Sequence, residues 1–279
     1  MYKISPFVKW AGGKGQILEE IISRLPDKYE DYYEPFIGGG AVLFGIQPDN
    51  AKINDINTQL INTFNQLKNS SDKVITAIKD LDSVVCDKEY YYKNRDRYNE
   101  KIKNDILDEE TAGLFIWLNK HCFNGLYRVN NKGLFNVPYN NKTNGTSMVE
   151  DNLKDIGLYL KNVEIYNLDF EDFCKSVKEN DFVYFDSPYI PESETADFTS
   201  YTKGGFGLEE HKRLADLYKE LDKRGAKLML SNNDVDLVYE LYDGFKIDSF
   251  DVKRMINRNA DKRTGREVIV TNYEKILSR

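Results

Sequence analysis

The segment Phe182-Val183-Tyr184-Phe185-Asp186-Ser187-Pro188-Tyr189 is an apolar run that ends in a carboxylate, a proline-stiffened turn and an aromatic ring. Those residue types suit the capture of a flat nitrogen heterocycle by its amino group. The Asp186 carboxylate accepts one hydrogen bond from an exocyclic NH2 and the main-chain carbonyl of Ser187 accepts the second. Pro188 restricts the backbone, and the Tyr189 ring stacks on the heterocycle. A strand followed by Asp and Pro is also an ordinary turn, so the segment carries weight only in company.

Two other stretches provide it. In Glu34-Pro35-Phe36-Ile37-Gly38-Gly39-Gly40-Ala41, glycines between a strand and a helix let the backbone approach a ligand closely. Asp55 follows Gly38 by seventeen positions, at the end of the next strand, where a carboxylate grips ribose hydroxyls. A plain tight turn has the same composition, and a nicotinamide dinucleotide site the same physics. Here, however, an acid (Glu34) and a bulky Phe36 lead the turn, which suits a cationic cofactor better than an anionic one. Phe7-Val8-Lys9-Trp10-Ala11-Gly12-Gly13-Lys14 is no phosphate loop, because Lys14 precedes Gly15 rather than Ser or Thr. An exposed Trp10 beside the flexible Gly12-Gly13 turn is placed to flank a purine ring, and Lys9 and Lys14 to reach a nucleic acid or a carboxylate.

The elements that must position these residues alternate in type. Tyr32–Phe36, Ala51–Asp55, Ile165–Leu168, Phe182–Phe185, Lys227–Ser231, Phe245–Val252 and Val268–Tyr273 read as strands. Apolar residues recur at helical spacing from Thr58 to Lys79 (Leu60, Ile61, Phe64, Leu67, Val74, Ile75, Ile78). Residues 87–111, 111–119 and 209–224 are further helices, and one more starts near Ala41. Residues 123–147 carry Asn-Gly and Asn-Asn-Lys turn signals and read as a hairpin with an irregular loop. Strand–helix alternation implies an α/β fold with a largely parallel sheet. Both chain ends, 1–57 and 148–279, form that domain, and 58–147 is a mainly helical insertion.

Composition sets outer limits. Forty-one per cent hydrophobic and 30% charged residues suit a globular protein, no apolar run approaches the ~20 residues of a membrane span, and the N-terminus lacks a secretory pattern. Cys86, Cys122 and Cys174 are scattered and, with two histidines (His121 and His211), show no metal-ligand spacing, so no metal is expected and a reducing cytoplasm is. A net charge of −7 argues against nonspecific nucleic-acid binding. It leaves room for a local basic face: Lys253, Arg254, Arg258, Lys262, Arg263 and Arg266 surround the single acid Asp261, and Arg128, Lys132 and Lys142 form a second group with Lys3, Lys9 and Lys14. Such runs are also commonly solvated faces.

Taken in order, Lys9–Lys14, Glu34–Gly40, Asn54-Asp55-Ile56-Asn57, Phe123-Asn124-Gly125-Leu126-Tyr127-Arg128, Gly133-Leu134-Phe135-Asn136-Val137-Pro138, Asp186–Tyr189 and Phe198-Thr199-Ser200-Tyr201 resemble the Dam-type DNA adenine methyltransferases of bacteria and phages. The resemblance covers essentially the whole chain. It implies a Rossmann-like sheet dependent on S-adenosylmethionine, the insertion being a target-recognition domain, and methyl transfer to the N6 amino group of a flipped-out adenine in double-stranded DNA, within GATC. By matched motif, Trp10, Lys14, Glu34, Phe36, Gly38, Gly40, Asp55 and Asp169 belong to the cofactor site. Asp186, Ser187, Pro188 and Tyr189 hold the adenine, and Lys9, Phe123, Asn124, Leu126, Arg128, Asn136 and Pro138 face the DNA. Arg128 is the candidate for a bidentate grip on guanine, Lys9 for a second guanine, and Phe123 with Asn124 for the space left by the flipped base, although Phe123 also suits a core and Arg128 an ion pair. The resemblance further implies a monomer that needs no membrane, with a restriction endonuclease of the same system as a partner.

One departure stands out: the family usually has Pro where this chain has Ser187. The acceptor at that position is a main-chain carbonyl, so Ser supplies the same atom and loses only a fixed backbone angle; activity is retained and slowed. Two other readings are a methyltransferase acting on amino groups of RNA or protein, and a DNA-binding module that has lost catalysis. The Asn124–Arg128 run opposes the first, and intact Asp55, Asp186 and Tyr189 oppose the second. A nicotinamide oxidoreductase lacks an acid or base for hydride transfer near the turn.

Overall fold

The computed structural model describes residues 4–142, 145–191, 206–253 and 264–274. The Phe198–Tyr201 run, Lys3, and Arg254, Arg258, Asp261, Lys262 and Arg263 of the basic stretch lie outside the described residues. In chain order, a 3-10 turn (Lys14–Gln16) and α1 (Leu18–Arg24) precede β1 (Tyr32–Glu34), α2 (Ala41–Ile46) and β2 (Ala51–Asn54). Next come α3 (Thr58–Asp82), α4 (Lys88–Lys103), α5 (Glu109–His121), a second 3-10 turn (Phe123–Gly125) and α6 (Glu150–Leu160). The chain continues through β3 (Val163–Tyr166), α7 (Phe170–Cys174), β4 (Phe182–Phe185), α8 (Leu208–Lys223), β5 (Lys227–Asn233), α9 (Asp236–Leu241), β6 (Lys246–Lys253) and β7 (Thr264–Thr271).

The seven strands run in the order β3-β2-β1-β4-β5-β7-β6. β2, β1, β4 and β5 pair in parallel. β7 lies antiparallel between β5 and β6, so the parallel expectation holds for the centre and not for the far edge. β4 is apolar and buried at all its positions, as a strand covered on both faces must be. Strand order reverses between β1 and β4, and in open sheets of this kind ligands bind at the carboxyl ends beside that reversal.

Two compact units divide the chain. The first comprises Met1–Gly13, Gly38–Asp49 and Asp55–Asn167, the second Lys14–Ile37, Asn50–Asn54 and Leu168–Arg279. In the first, α3 packs on α5 and α6. Its N-cap, Asn57, accepts from the amides of Gln59 and Leu60. Helical periodicity in α3 continues past Ser70, but that residue is non-helical (φ −150°, ψ 41°) and interrupts it. The helix expected over 87–111 stops at Lys103, because Asp105 takes a left-handed backbone (φ 52°) and Asp108 then caps α5 through the Thr111 amide. The hairpin expected over 123–147 appears as two antiparallel bridges, Cys122 with Tyr139 and Val129 with Phe135. Helix α6 was not foreseen. In the second unit, Tyr218 of α8 donates its hydroxyl to the Leu228 carbonyl and ties that helix to β5.

Candidate active site

In the second unit, the backbone leaves β4 at Phe185 and presents Asp186, whose side chain is 20% exposed. Lys14, 6% exposed at its side chain, brings Nζ to 2.6 Å from Asp186 Oδ1. The same ammonium stands 4.4 Å from the centroid of the Tyr189 ring. Burial pushes the Asp186 carboxyl above its usual range, and the charge and hydrogen bond of Lys14 oppose that rise. Ser231 Oγ is 3.5 Å from Asp186 Oδ1, at the outer limit of a hydrogen bond. It also lies 2.8 Å from the buried Tyr184 hydroxyl. Tyr189 donates its hydroxyl to Glu267 Oε2 at 3.0 Å. Burial, with the negative charges of Asp186 and Glu267, keeps that phenol neutral far above its ordinary range.

The polar tail of β5 braces the segment after the turn. Asn232 Oδ1 accepts from the Ile190 amide at 2.9 Å, and Asn233 Nδ2 donates to the Ile190 carbonyl at 2.7 Å. Ser187 is buried, and its hydroxyl has no hydrogen-bond partner among the described residues. The arrangement is thus a desolvated acceptor and an aromatic ring, both within reach of one N–H donor.

Three other predicted residues lie in this unit. Glu34 is buried and accepts from the Tyr32 hydroxyl at 2.6 Å. The Phe36 ring packs among those of Phe170 and Phe206, with centroids 5.5 and 5.7 Å away. Asp169 caps α7 through the Glu171 amide and pairs with Arg213 at 3.0 Å.

The first unit holds the glycine turn. Gly38 donates its amide to Asp55 Oδ2 at 3.1 Å, and Asn57 donates to Oδ1 at 2.9 Å. Burial raises the Asp55 carboxyl, while amides of Asn57, Gly38 and Ile56 hold it down. Gly38 adopts φ +48°, and a Cβ there would come 2.8 Å from Trp10 Cδ1. Trp10 is half-buried rather than exposed: its ring stacks on Tyr127 at 5.6 Å and lies 6.3 Å from Phe115. A side-chain-free turn backed by a carboxylate and an indole fits a nucleoside with free hydroxyls, since three amides leave one of the four lone-pair sites of the Asp55 carboxylate open.

The same unit carries the 123–138 loop. Phe123 is 51% and Leu126 38% exposed, so neither is a core side chain. Asn124 adopts φ 57°, and Phe123 donates its amide to the Pro138 carbonyl at 2.8 Å. Arg128 is exposed and donates Nε to Asn136 Oδ1 at 2.8 Å, which orients the guanidinium without neutralising it. Lys9 is exposed, with its stem against Gly125, where a Cβ would meet Lys9 Cδ at 2.6 Å. Buried Asn119 ties the two together: its amide donates to the carbonyls of Lys9 and Gly125 and accepts from the Lys9 amide. Lys132 and Lys142 are exposed as well, whereas Lys14 drops out of the basic surface because its charge is buried on Asp186. Arg266 of the C-terminal basic run lies near Asp234 and Asp251, at 3.4 and 3.7 Å.

The family model for the D12 class N6 adenine-specific DNA methyltransferases matches residues 10–256. The chain belongs to this family. The Type II methyltransferase M.MjaIII of Methanocaldococcus jannaschii is 45% identical over 97% of this chain and 100% of its own length. The Type II methyltransferase M1.LlaDCHI of Lactococcus lactis subsp. cremoris is 41% identical over 97% and 96%. The DNA adenine methylase of Escherichia coli K12 is 33% identical over 98% and 97%. As a D12 methyltransferase the protein is an enzyme that methylates adenine in DNA, on a Rossmann-like α/β sheet. Among the described residues, no helix is long and apolar enough to cross a membrane, and no group of three or more metal-ligating side chains occurs.

Sequence reasoning missed Ser231, Asn232 and Glu267 as supports of the turn after β4, and Asn119 as a support of the 123–138 loop. A polar Ser-Asn-Asn tail at a strand's carboxyl end was a usable signal for the first two. Glu267 carried none, because it meets Tyr189 only through the placement of β7.

Proposed function

We propose that the protein is a site-specific enzyme that transfers a methyl group from S-adenosylmethionine to N6 of an adenine flipped out of duplex DNA, within GATC. The observation that carries this reading is the position of Lys14 Nζ, one N–H donor 2.6 Å from Asp186 Oδ1 and 4.4 Å from the centre of the Tyr189 ring. An adenine needs those same two partners. When bound, S-adenosylmethionine supplies a sulfonium-activated methyl group. Asp55 and the Gly38–Gly40 backbone grip its ribose, with Trp10 behind the turn. Glu34, Phe36 and Asp169 are the further cofactor contacts in this reading, Asp169 doing so from the exposed side of its cap.

The amino nitrogen of adenine is a poor nucleophile, because its lone pair is delocalised into the ring. The Asp186 carboxylate and the Ser187 carbonyl accept its two N–H groups, favour a pyramidal nitrogen and stabilise the positive charge that develops there. Pro188 holds the turn, and proximity supplies much of the remaining acceleration. Extracting the base costs roughly a few kcal/mol of stacking and pairing, part of which Tyr189 offsets. Lys9 and Arg128 read guanine edges, Asn136 orients Arg128, and Phe123, Asn124, Leu126 and Pro138 occupy the space the base leaves. Residues 58–147 act as the recognition region. The names of the M. jannaschii and L. lactis relatives support a type II role beside a restriction endonuclease, and one adenine per event suits a monomer working in the cytoplasm.

Transfer of labelled methyl from S-adenosylmethionine to two duplexes, one with GATC and one with the site scrambled, tests the reading. Label on the first alone is expected. Equal label on both, or label on neither, refutes GATC as the site. Fluorescence of 2-aminopurine at the target position tests flipping; no rise on binding refutes it.

A further inference from the structure

We propose that Lys14 is a placeholder for the substrate amino group: it keeps Asp186 ionised while no DNA is bound and leaves that carboxylate when adenine enters. The inference rests on the reading of Asp186 and Tyr189 as the adenine site. Two requirements conflict at Asp186. Before adenine arrives, a desolvated carboxylate without a cation takes up a proton. It then offers an O–H donor where the amino group needs an acceptor. Lys14 meets this need from 2.6 Å. During methyl transfer, the amino nitrogen gains positive charge, and an ammonium held on the same carboxylate would repel it. The amino group also takes the hydrogen-bonding position that Nζ holds. Only a cation that is present before binding and displaced on binding satisfies both.

The surroundings permit the exchange. Lys14 sits on a three-residue 3-10 turn, and a Cβ on the adjoining Gly15 would meet nothing within 4 Å. Among the described residues, no other cation bears on Asp186. From β5, Ser231 reaches it with a neutral hydroxyl. The phenols of Tyr184 and Tyr189 are both pushed far above their ordinary range and stay neutral. Glu267 of β7 and Glu34 of β1 bear on Tyr189 and Tyr184 respectively.

The pH dependence of turnover on a GATC duplex separates the two states, because kcat/KM reports groups of the free enzyme and kcat those of the complex. In Lys14→Gln the acid limb of kcat/KM should move upward by about one pH unit or more, with the acid limb of kcat unmoved. Lys14→Arg, which keeps the charge, should return the kcat/KM limb toward wild type. Limbs that move together mean that Lys14 stays on Asp186 through turnover, and limbs that both stay mean that the pair does not control ionisation; either overturns the proposal. If Lys14→Gln turns over too slowly to profile, 2-aminopurine fluorescence on a bound duplex at neutral pH should exceed wild type, since the occupant is gone. Equal or lower fluorescence overturns it. Wild-type turnover in Asp186→Asn would instead sink the underlying adenine-site reading. An inactive Asp186→Asn with coincident limbs removes the placeholder alone.

Discussion

The turn after β4 and the 123–138 loop are built on opposite plans. In the turn, the polar atoms are buried and braced by side chains distant in sequence: Lys14 on Asp186, Glu267 on Tyr189, Asn232 and Asn233 on Ile190. In the loop, Phe123, Leu126 and Arg128 are exposed, and local braces hold that exposed stretch, Asn136 on Arg128 and Asn119 on the Gly125 carbonyl, while Asn99 and Tyr91 of α4 hold the buried backbone at Phe135 and Val137. Charge stabilisation is strongest where water is excluded and the partners are fixed in advance. Reading DNA requires side chains that project into a groove. Buried tertiary bracing and exposed local bracing match those two tasks.

The sharpest way to break the contrast is Asp186→Asn. Loss of the buried charged acceptor should lower turnover by about 10²–10³-fold, with duplex affinity retained; comparable losses in both would make the turn a binding element like the loop. Acid titration compares the two units through one histidine each. Burial holds both His121 and His211 at about 4, against an ordinary value of 6.5. The unfolded chain therefore binds more protons between those values, and stability should decline as pH falls from about 6.5 towards 4, by on the order of a few kcal/mol. Urea midpoints at pH 7.5 and pH 5 check this, and equal midpoints would count against both. Arg128→Ala should cost about 1–3 kcal/mol on cognate DNA and relax one position of the site. An equal loss on scrambled DNA would reduce Arg128 to a phosphate contact. The smallest expected effect is that of Ser187→Pro. Pre-setting the backbone is worth about 0.4–1 kcal/mol, so turnover should rise roughly two- to fivefold. Unchanged turnover would show that turn rigidity does not limit the rate.

The loop was legible where its bracing is local. Asn-Gly and Asn-Asn-Lys signals in 123–147 marked the hairpin, and the spacing of Gly38 and Asp55 placed the acid at the end of the next strand, one strand-helix-strand step on; that it meets the Gly38 amide came from the structure. The misjudged places have tertiary causes. Trp10 read as an exposed platform because only packing reveals Tyr127 against it, and the break at Asp105 depends on a left-handed backbone that Asp adopts only in context.

Residue chemistry and short-range geometry were determined by the sequence alone: an apolar strand must be buried, an Asp must follow it, and a proline must stiffen the turn. Tertiary structure decided which charge meets which. Lys14 and Asp186 are remote in the chain, and their spacing says nothing until the strands have paired and folding has buried the two side chains. Only that burial removes the water that would otherwise separate the two charges, leaving each as the other's partner.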